Sequence, residues 1–144
     1  MKILEKDLIV LDVQLDTPEE AIEKVADVLI DKNLVKVEYR ELLLIAFQHD
    51  LNSFTFGDMA AVAHIDRYGA SLEDALVLIR LKHSVNFGKN EVKPVRLIFG
   101  VVGTNSENDM VLFQDVVKLI HNKTAFSALL NEKTPESLLE VLHL

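Results

Sequence analysis

Three short runs in the middle of the chain, MAAVA (59–63), ALVLIRL (75–81) and VRLIFGVV (95–102), are apolar at nearly every position. A strand with one wet face would alternate; these do not, and Gly, Asn, Ser or Pro bounds each of them. They predict strands buried on both faces, and such strands need cover on both. Pro94 stands just ahead of the third run, where a missing ladder donor is tolerated.

The cover is supplied by helical segments on either side in sequence. TPEEAIEKVADVLIDKN opens with Thr17, Pro18 and Glu20, a hydroxyl cap, a proline at the first helical position and a carboxylate three residues on. Ile22, Val25, Ala26, Leu29 and Ile30 then recur at helical spacing, with charged residues on the other side. A second helix is predicted from Val37 to Gln48, with Tyr39, Leu43, Ala46 and Phe47 facing inward. After the strands come SENDMVLFQDVVKLIHN, TAFSALLN and TPESLLEVLHL, the last repeating the Thr-Pro-Glu opening at Thr134. Helices, strands, then helices predict an α/β fold: a mixed sheet flanked by helices on both faces. No linker divides the chain, so residues 1–144 are expected to form one domain.

Bulk properties exclude several classes. A formal net charge of −8 opposes a phosphate backbone, and no basic stripe with interleaved aromatics offsets it, so nucleic acid is not an expected partner. Without cysteine there is no disulfide, thiolate metal site or cysteine nucleophile. The longest apolar runs, such as LLLIAF, fall well short of the roughly 18 residues of a membrane span. The opening MKILEKDLIVLDV lacks the apolar core and cleavage site of a secretion signal and reads as part of the fold, so a cytoplasmic protein is expected.

The chain carries no G-x-S-x-G, no G-x-x-x-x-G-K-[ST], no H-E-x-x-H and no dinucleotide fingerprint. FGKNEVK reads as a turn between strands. His49, His83, His121 and His143 sit in polar surroundings or near predicted element ends and read as surface residues. His64 differs, because it closes a predicted buried strand, where α/β sheets present side chains to a crevice. His64 and Asp66 could give two metal ligands, but no third stands at a supporting spacing, so no metal or other cofactor is expected.

The order helix, helix, GDMAAVAHID, ALVLIRLKHSVNFGKNEVKPVRLIFGVVGTNSENDM, helix, helix resembles the enzyme IIA domain of the fructose/mannitol class of the bacterial sugar phosphotransferase system. The resemblance covers nearly the whole chain. It implies that His64 carries a phosphoryl group, received from the general carrier protein HPr and passed to a sugar-specific enzyme IIB. It also marks departures. Ala63 and Ile65 stand where the family has Pro and Gly, Gln48 or its neighbour His49 where it has an arginine, and Asp109 where it has a second histidine.

These departures shape the expected chemistry. Gln48 could keep one neutral contact to the phosphoryl group. Asp109 has two open roles: with Ser106 it has capping-box spacing, and on the line of Leu112, Phe113 and Val116 it could reach the imidazole and fix its tautomer. The helix beginning near Ser106 offers unpaired N–H groups to an anion. Arg67 could swing back to add charge, or stay solvated in its turn. Phe56 and Phe87 could shape a docking surface, or simply pack. The alternative to a phosphocarrier is a regulatory or binding module that keeps the fold and transfers phosphate poorly. The oligomeric state is left open, since the apolar stripes are all accounted for by one core.

Overall fold

The computed structural model describes residues 4–50 and 53–143. Its elements run β1 (Ile9–Val13), α1 (Pro18–Asp31), α2 (Tyr39–His49), β2 (Met59–Ala63), β3 (Ala75–Asn86), β4 (Pro94–Val102), α3 (Ser106–His121), α4 (Lys123–Asn131) and α5 (Pro135–Leu142). The strands form one sheet in the order β1-β3-β4-β2. The outer pairs β1/β3 and β2/β4 are parallel and the central pair β3/β4 is antiparallel, so the sheet is mixed. Among the described residues no helix is long and apolar enough to cross a membrane.

The apolar runs are explained by two-sided burial. Along β3, Val77, Ile79 and Leu81 pack into a layer with α1 and α2, while Leu76 and Leu78 point into the layer of α3, α4 and α5. β4 divides in the same way, with Ile98 and Val102 on the first side and Leu97, Phe99 and Val101 on the second. Side chains alternate across a strand, so a sheet with helices on both faces needs apolar residues at odd and even positions alike. Gly100 lets α1 come close: a Cβ there would lie 2.4 Å from Val25 Cγ1.

The capping box at Thr17 forms as its sequence predicts, with Thr17 Oγ1 accepting from the Glu20 N–H and Glu20 Oε1 accepting from the Thr17 N–H. Helix α2 begins two residues later than its periodicity suggests, because Val37 lies outside the helix and is 75% exposed. The sequence reading predicts three strands and the described residues form four. The additional strand, β1, is a five-residue edge strand whose side chains are mostly half-buried, too short and too mixed to announce itself.

Among the described residues one charged side chain is buried, and it lies in the sheet. Arg80, in the middle of β3, is only 2% exposed; its Nε and Nη2 donate to the two carboxylate oxygens of Asp12 at 3.0 and 3.1 Å, and its Nη1 donates to the Leu129 carbonyl at 3.0 Å. That carbonyl lies near the C-terminal end of α4, where the helix dipole is negative. Asp12 takes a left-handed backbone (φ 59°) where β1 slips register against β3, and Arg96 approaches it at 3.8 Å. The hydrogen bonds from Arg80 hold the Asp12 carboxyl below its ordinary value of 3.8.

The substitution Asp12→Asn keeps a residue type that tolerates this backbone and removes the charge together with one of the two oxygens that accept from Arg80. The variant should lose about 1–3 kcal/mol, read as a lower urea midpoint at an unchanged slope, because a buried guanidinium is left without its counter-charge. In the parent this contribution is complete above pH 3.8 and disappears as the pH falls through the lowered folded value, so Asp12→Asn should show a shallower acid loss of stability.

Candidate functional site

Parallel pairing of β2 with β4, in a register that sets Ala63 opposite Gly100, sends both chains out of the same edge of the sheet. His64 follows β2 directly. From β4 the chain turns through Gly103, Thr104 and Asn105 into α3. The turn is tight because Gly103 has no side chain: a Cβ there would lie 2.5 Å from the Asp109 nitrogen and 2.6 Å from its Cα, so the first turn of α3 lies directly on the strand end.

The antiparallel neighbour secures that turn. Ala75 pairs with Val102, which puts Asp74 beside the loop. Its Oδ1 accepts from the Thr104 N–H at 2.8 Å and the Thr104 hydroxyl at 2.9 Å, and its Oδ2 accepts from Asn108 Nδ2 at 2.8 Å. The cap of α3 is Asn105, whose Oδ1 accepts from the Asn108 N–H at 2.9 Å. The capping box of Ser106 with Asp109 is therefore not formed. Ser106 is the first helical residue, and the Asp109 carboxylate is left for other work.

That carboxylate faces His64, with Asp109 Oδ2 at 3.8 Å from His64 Nδ1. The imidazole side chain is 33% exposed and the carboxylate 13%. Two phenyl rings enclose the imidazole: Phe113 meets it edge-on with centroids 5.4 Å apart, and Phe54 lies tilted at 6.3 Å. Phe54 reaches this place because residues 54–56 run back along the open edge of β2, where Val62 N–H donates to the Phe54 carbonyl and Phe56 N–H to that of Ala60. The reversal needs left-handed backbone at Gly57 (φ 61°) and at Met59 (φ 65°).

Burial pushes the Asp109 carboxyl above its ordinary value; His64 draws it down and Asp66 pushes it up further. The carboxylate is thus held in a place that disfavours its own charge, beside a ring able to carry the opposite one. Among the described residues no group of three acidic or histidine side chains gathers as a metal site.

Among the described residues the other sequence candidates make no hydrogen bond or ring contact with His64. Gln48 is exposed in the last turn of α2, and among the described residues no hydrogen bond joins it to His64. His49 and Arg67 line a cleft of about 490 Å³ with Ile45, Ser53 and Ile65, next to the strand end. Phe56 packs edge-on against Phe113, and Phe87 is buried against Phe47, so Phe87 belongs to the core. Sequence reasoning gave no part to Phe54 or Asp74. Phe54 could have been suspected from the turn signals that follow it; nothing in the sequence links Asp74 to Thr104, thirty residues on.

The chain that builds this site matches a known group of proteins along its length. The family model for the phosphoenolpyruvate-dependent sugar phosphotransferase system, EIIA 2, matches residues 2–143. The mannitol-specific phosphotransferase enzyme IIA component of Bacillus subtilis (strain 168) is 24% identical over 146 residues, covering 99% of this chain and 98% of that one. The crystal structure of IIA mannitol from Escherichia coli superposes with a TM-score of 0.84 at 24% identity, covering 99% of both chains. Enzyme IIAMtl in its complex with phosphorylated enzyme IIBMtl from Escherichia coli gives 0.84 at 23% identity, over 97% of this chain and 96% of that one. With a family match that runs essentially from end to end, the chain belongs to the EIIA 2 family of the sugar phosphotransferase system.

Proposed function

We propose that this protein is a cytoplasmic phosphocarrier whose His64 takes a phosphoryl group from the phosphohistidine of HPr and hands it to a sugar-specific enzyme IIB. The observation that carries the reading is the seat of the imidazole, which is open on one side, backed by Asp109 and set against the first turn of α3. The complex of a IIA relative with phosphorylated IIB supports the choice of acceptor.

The chemistry follows from which ring nitrogen is buried. Nδ1 is shielded and turned toward Asp109, which leaves Nε2 on the open side. The carboxylate 3.8 Å from Nδ1 favours the proton on that nitrogen and so the neutral tautomer whose lone pair is on Nε2. That lone pair attacks phosphorus in line as the bond from phosphorus to the HPr imidazole breaks. The product ring keeps its Nδ1 proton and gains positive charge, which the carboxylate behind it stabilises. Three equatorial oxygens then need donors, and the N–H groups of Ser106 and Glu107, in the first turn of α3, are free of intrahelical partners. Gln48 would contribute a neutral amide from the rim, weaker than a bidentate arginine contact by about 1 kcal/mol or more.

Incubation with phosphoenolpyruvate, enzyme I and HPr should add one acid-labile phosphoryl group to the intact protein, and His64→Ala should abolish it. An unmodified wild-type chain would overturn the reading and leave a binding module with this fold.

Asp109→Asn should act in opposite directions on transfer and stability. Removing the negative charge behind the ring should slow HPr-dependent phosphorylation by about tenfold to a hundredfold. The raised carboxyl means that ionised Asp109 weakens the fold, a cost absent below its ordinary value of 3.8 and fully present once the pH exceeds the folded value. At neutral pH the Asp109→Asn variant should therefore melt higher than the parent in a thermal scan.

A further inference from the structure

A phosphoryl group on His64 brings about two negative charges to an edge already rich in carboxylates, since Asp66, Asp74, Glu107 and Asp109 all lie on the segments that meet there. The N–H groups of α3 answer only part of that charge. Between Glu41 and Ile79, and again between Leu97 and Val117, the sequence holds a single Lys or Arg, which is Arg67. Those two stretches contain the end of α2, all of β2, the start of β3, the end of β4 and most of α3, the elements that build the site. The arginines that flank them in sequence are committed elsewhere: Arg40 to Glu23 and Asp27, Arg80 to Asp12 and the Leu129 carbonyl, and Arg96 to the Leu81 carbonyl. Arg67 is not. It is exposed, and among the described residues it makes no hydrogen bond or ion pair, although Asp50 and Asp66 line the same cleft.

We propose that Arg67 is the cation of the transfer: its guanidinium turns from the cleft onto the equatorial oxygens of the phosphoryl group on His64 Nε2. The proposal rests on the phosphocarrier reading and adds a residue to it. Arg67 stands three residues after His64, so the two Cα atoms are within about 11 Å even at full stretch of the chain. The cleft of about 490 Å³ leaves the long side chain room to turn. Its planar head presents five donors in a fork that matches two phosphoryl oxygens at once. His49 shares the cleft, but an imidazole changes its charge near neutral pH, whereas a guanidinium keeps it. Because Arg67 has no partner to give up, its charge is available as soon as the phosphoryl group arrives.

Two phosphoryl donors separate a contact with the phosphoryl group from a contact with a partner protein. One is phosphorylated HPr. The other is phosphoramidate, a small reagent whose phosphorus Nε2 attacks while the bond to nitrogen breaks and ammonia leaves with that electron pair. Arg67→Gln should slow phosphorylation of His64 by about tenfold to a hundredfold with either donor, at an unchanged melting temperature, and His49→Gln should slow it far less. In the phosphorylated wild type the Arg67 Nε–H signal in a proton spectrum should shift and exchange more slowly with water. An Arg67→Gln variant that is modified at the parent rate would overturn the proposal, as would a loss confined to HPr, which would set Arg67 against the partner instead. An Arg67 signal that ignores phosphorylation, or a wild type that takes nothing from phosphoramidate, would overturn it too. If HPr alone fails to modify the wild type, the phosphocarrier reading fails, while phosphoramidate and the Nε–H signal still decide the role of Arg67.

Discussion

The site depends on one pairing, that of β2 with β4 in parallel. Parallel neighbours end on the same edge, so the residue after β2 and the helix after β4 meet there without any long loop to steer them. An antiparallel β2 would carry His64 to the far end of a five-residue strand, about 16 Å away. Gly103 then sets the distance, because any side chain there would occupy the space of Asp109 itself. Asp74 fixes the direction from the neighbouring strand, holding the loop at Thr104 and Asn108.

The same edge is where the two layers of the molecule come together. Phe54 belongs to the layer of α1 and α2, and Phe113 packs with the layer of α3 to α5; His64 sits between their rings. Apolar walls on both sides thin out the water around the His64–Asp109 contact. That strengthens an attraction between a carboxylate and a positive ring, and it also raises the cost of the carboxylate when the ring is neutral. The raised Asp109 carboxyl is therefore a result of that enclosure. On the proposed reading, stability is given up at a position whose charge serves the transfer.

Much of this was legible before any coordinates. Unbroken apolar runs required two covering layers, Thr17 with Glu20 marked a helix start to the residue, and His64 stood out because it ends a buried strand. What was missed shares a physical cause. Strand β1 is defined by partners in β3 nearly seventy residues away, and its own five residues carry little signal. Ser106 and Asp109 have the spacing of a capping box, yet the helix starts one residue earlier than that box requires, and Asn105 caps it with the same chemistry. Spacing could leave Asp109 between two roles, but only the close approach over Gly103 turns its carboxylate to the imidazole. The position of the family arginine could be narrowed to Gln48 or His49 in sequence; the fold puts His49 in the cleft beside Ile65 and leaves Gln48 exposed near the end of α2.

A negative residue behind a phosphoacceptor looks like a fault until the charges are counted. At about 4 Å and an effective dielectric constant near 20, a carboxylate attracts a positively charged ring by about 4 kcal/mol. A phosphoryl group on Nε2 places about two negative charges roughly 8 Å from the same carboxylate, and the repulsion in the same medium is again about 4 kcal/mol. On the proposed reading the two nearly cancel in the phosphorylated state. For an enzyme that ends with product release, such cancellation would waste the interaction. A carrier has a different requirement, because it must accept and donate the same group, and a site that bound the phosphoryl group tightly would not release it to the next protein. On that reading Asp109 biases the tautomer that attacks, supports the ring charge while the bond forms, and adds little net hold on the finished phosphohistidine.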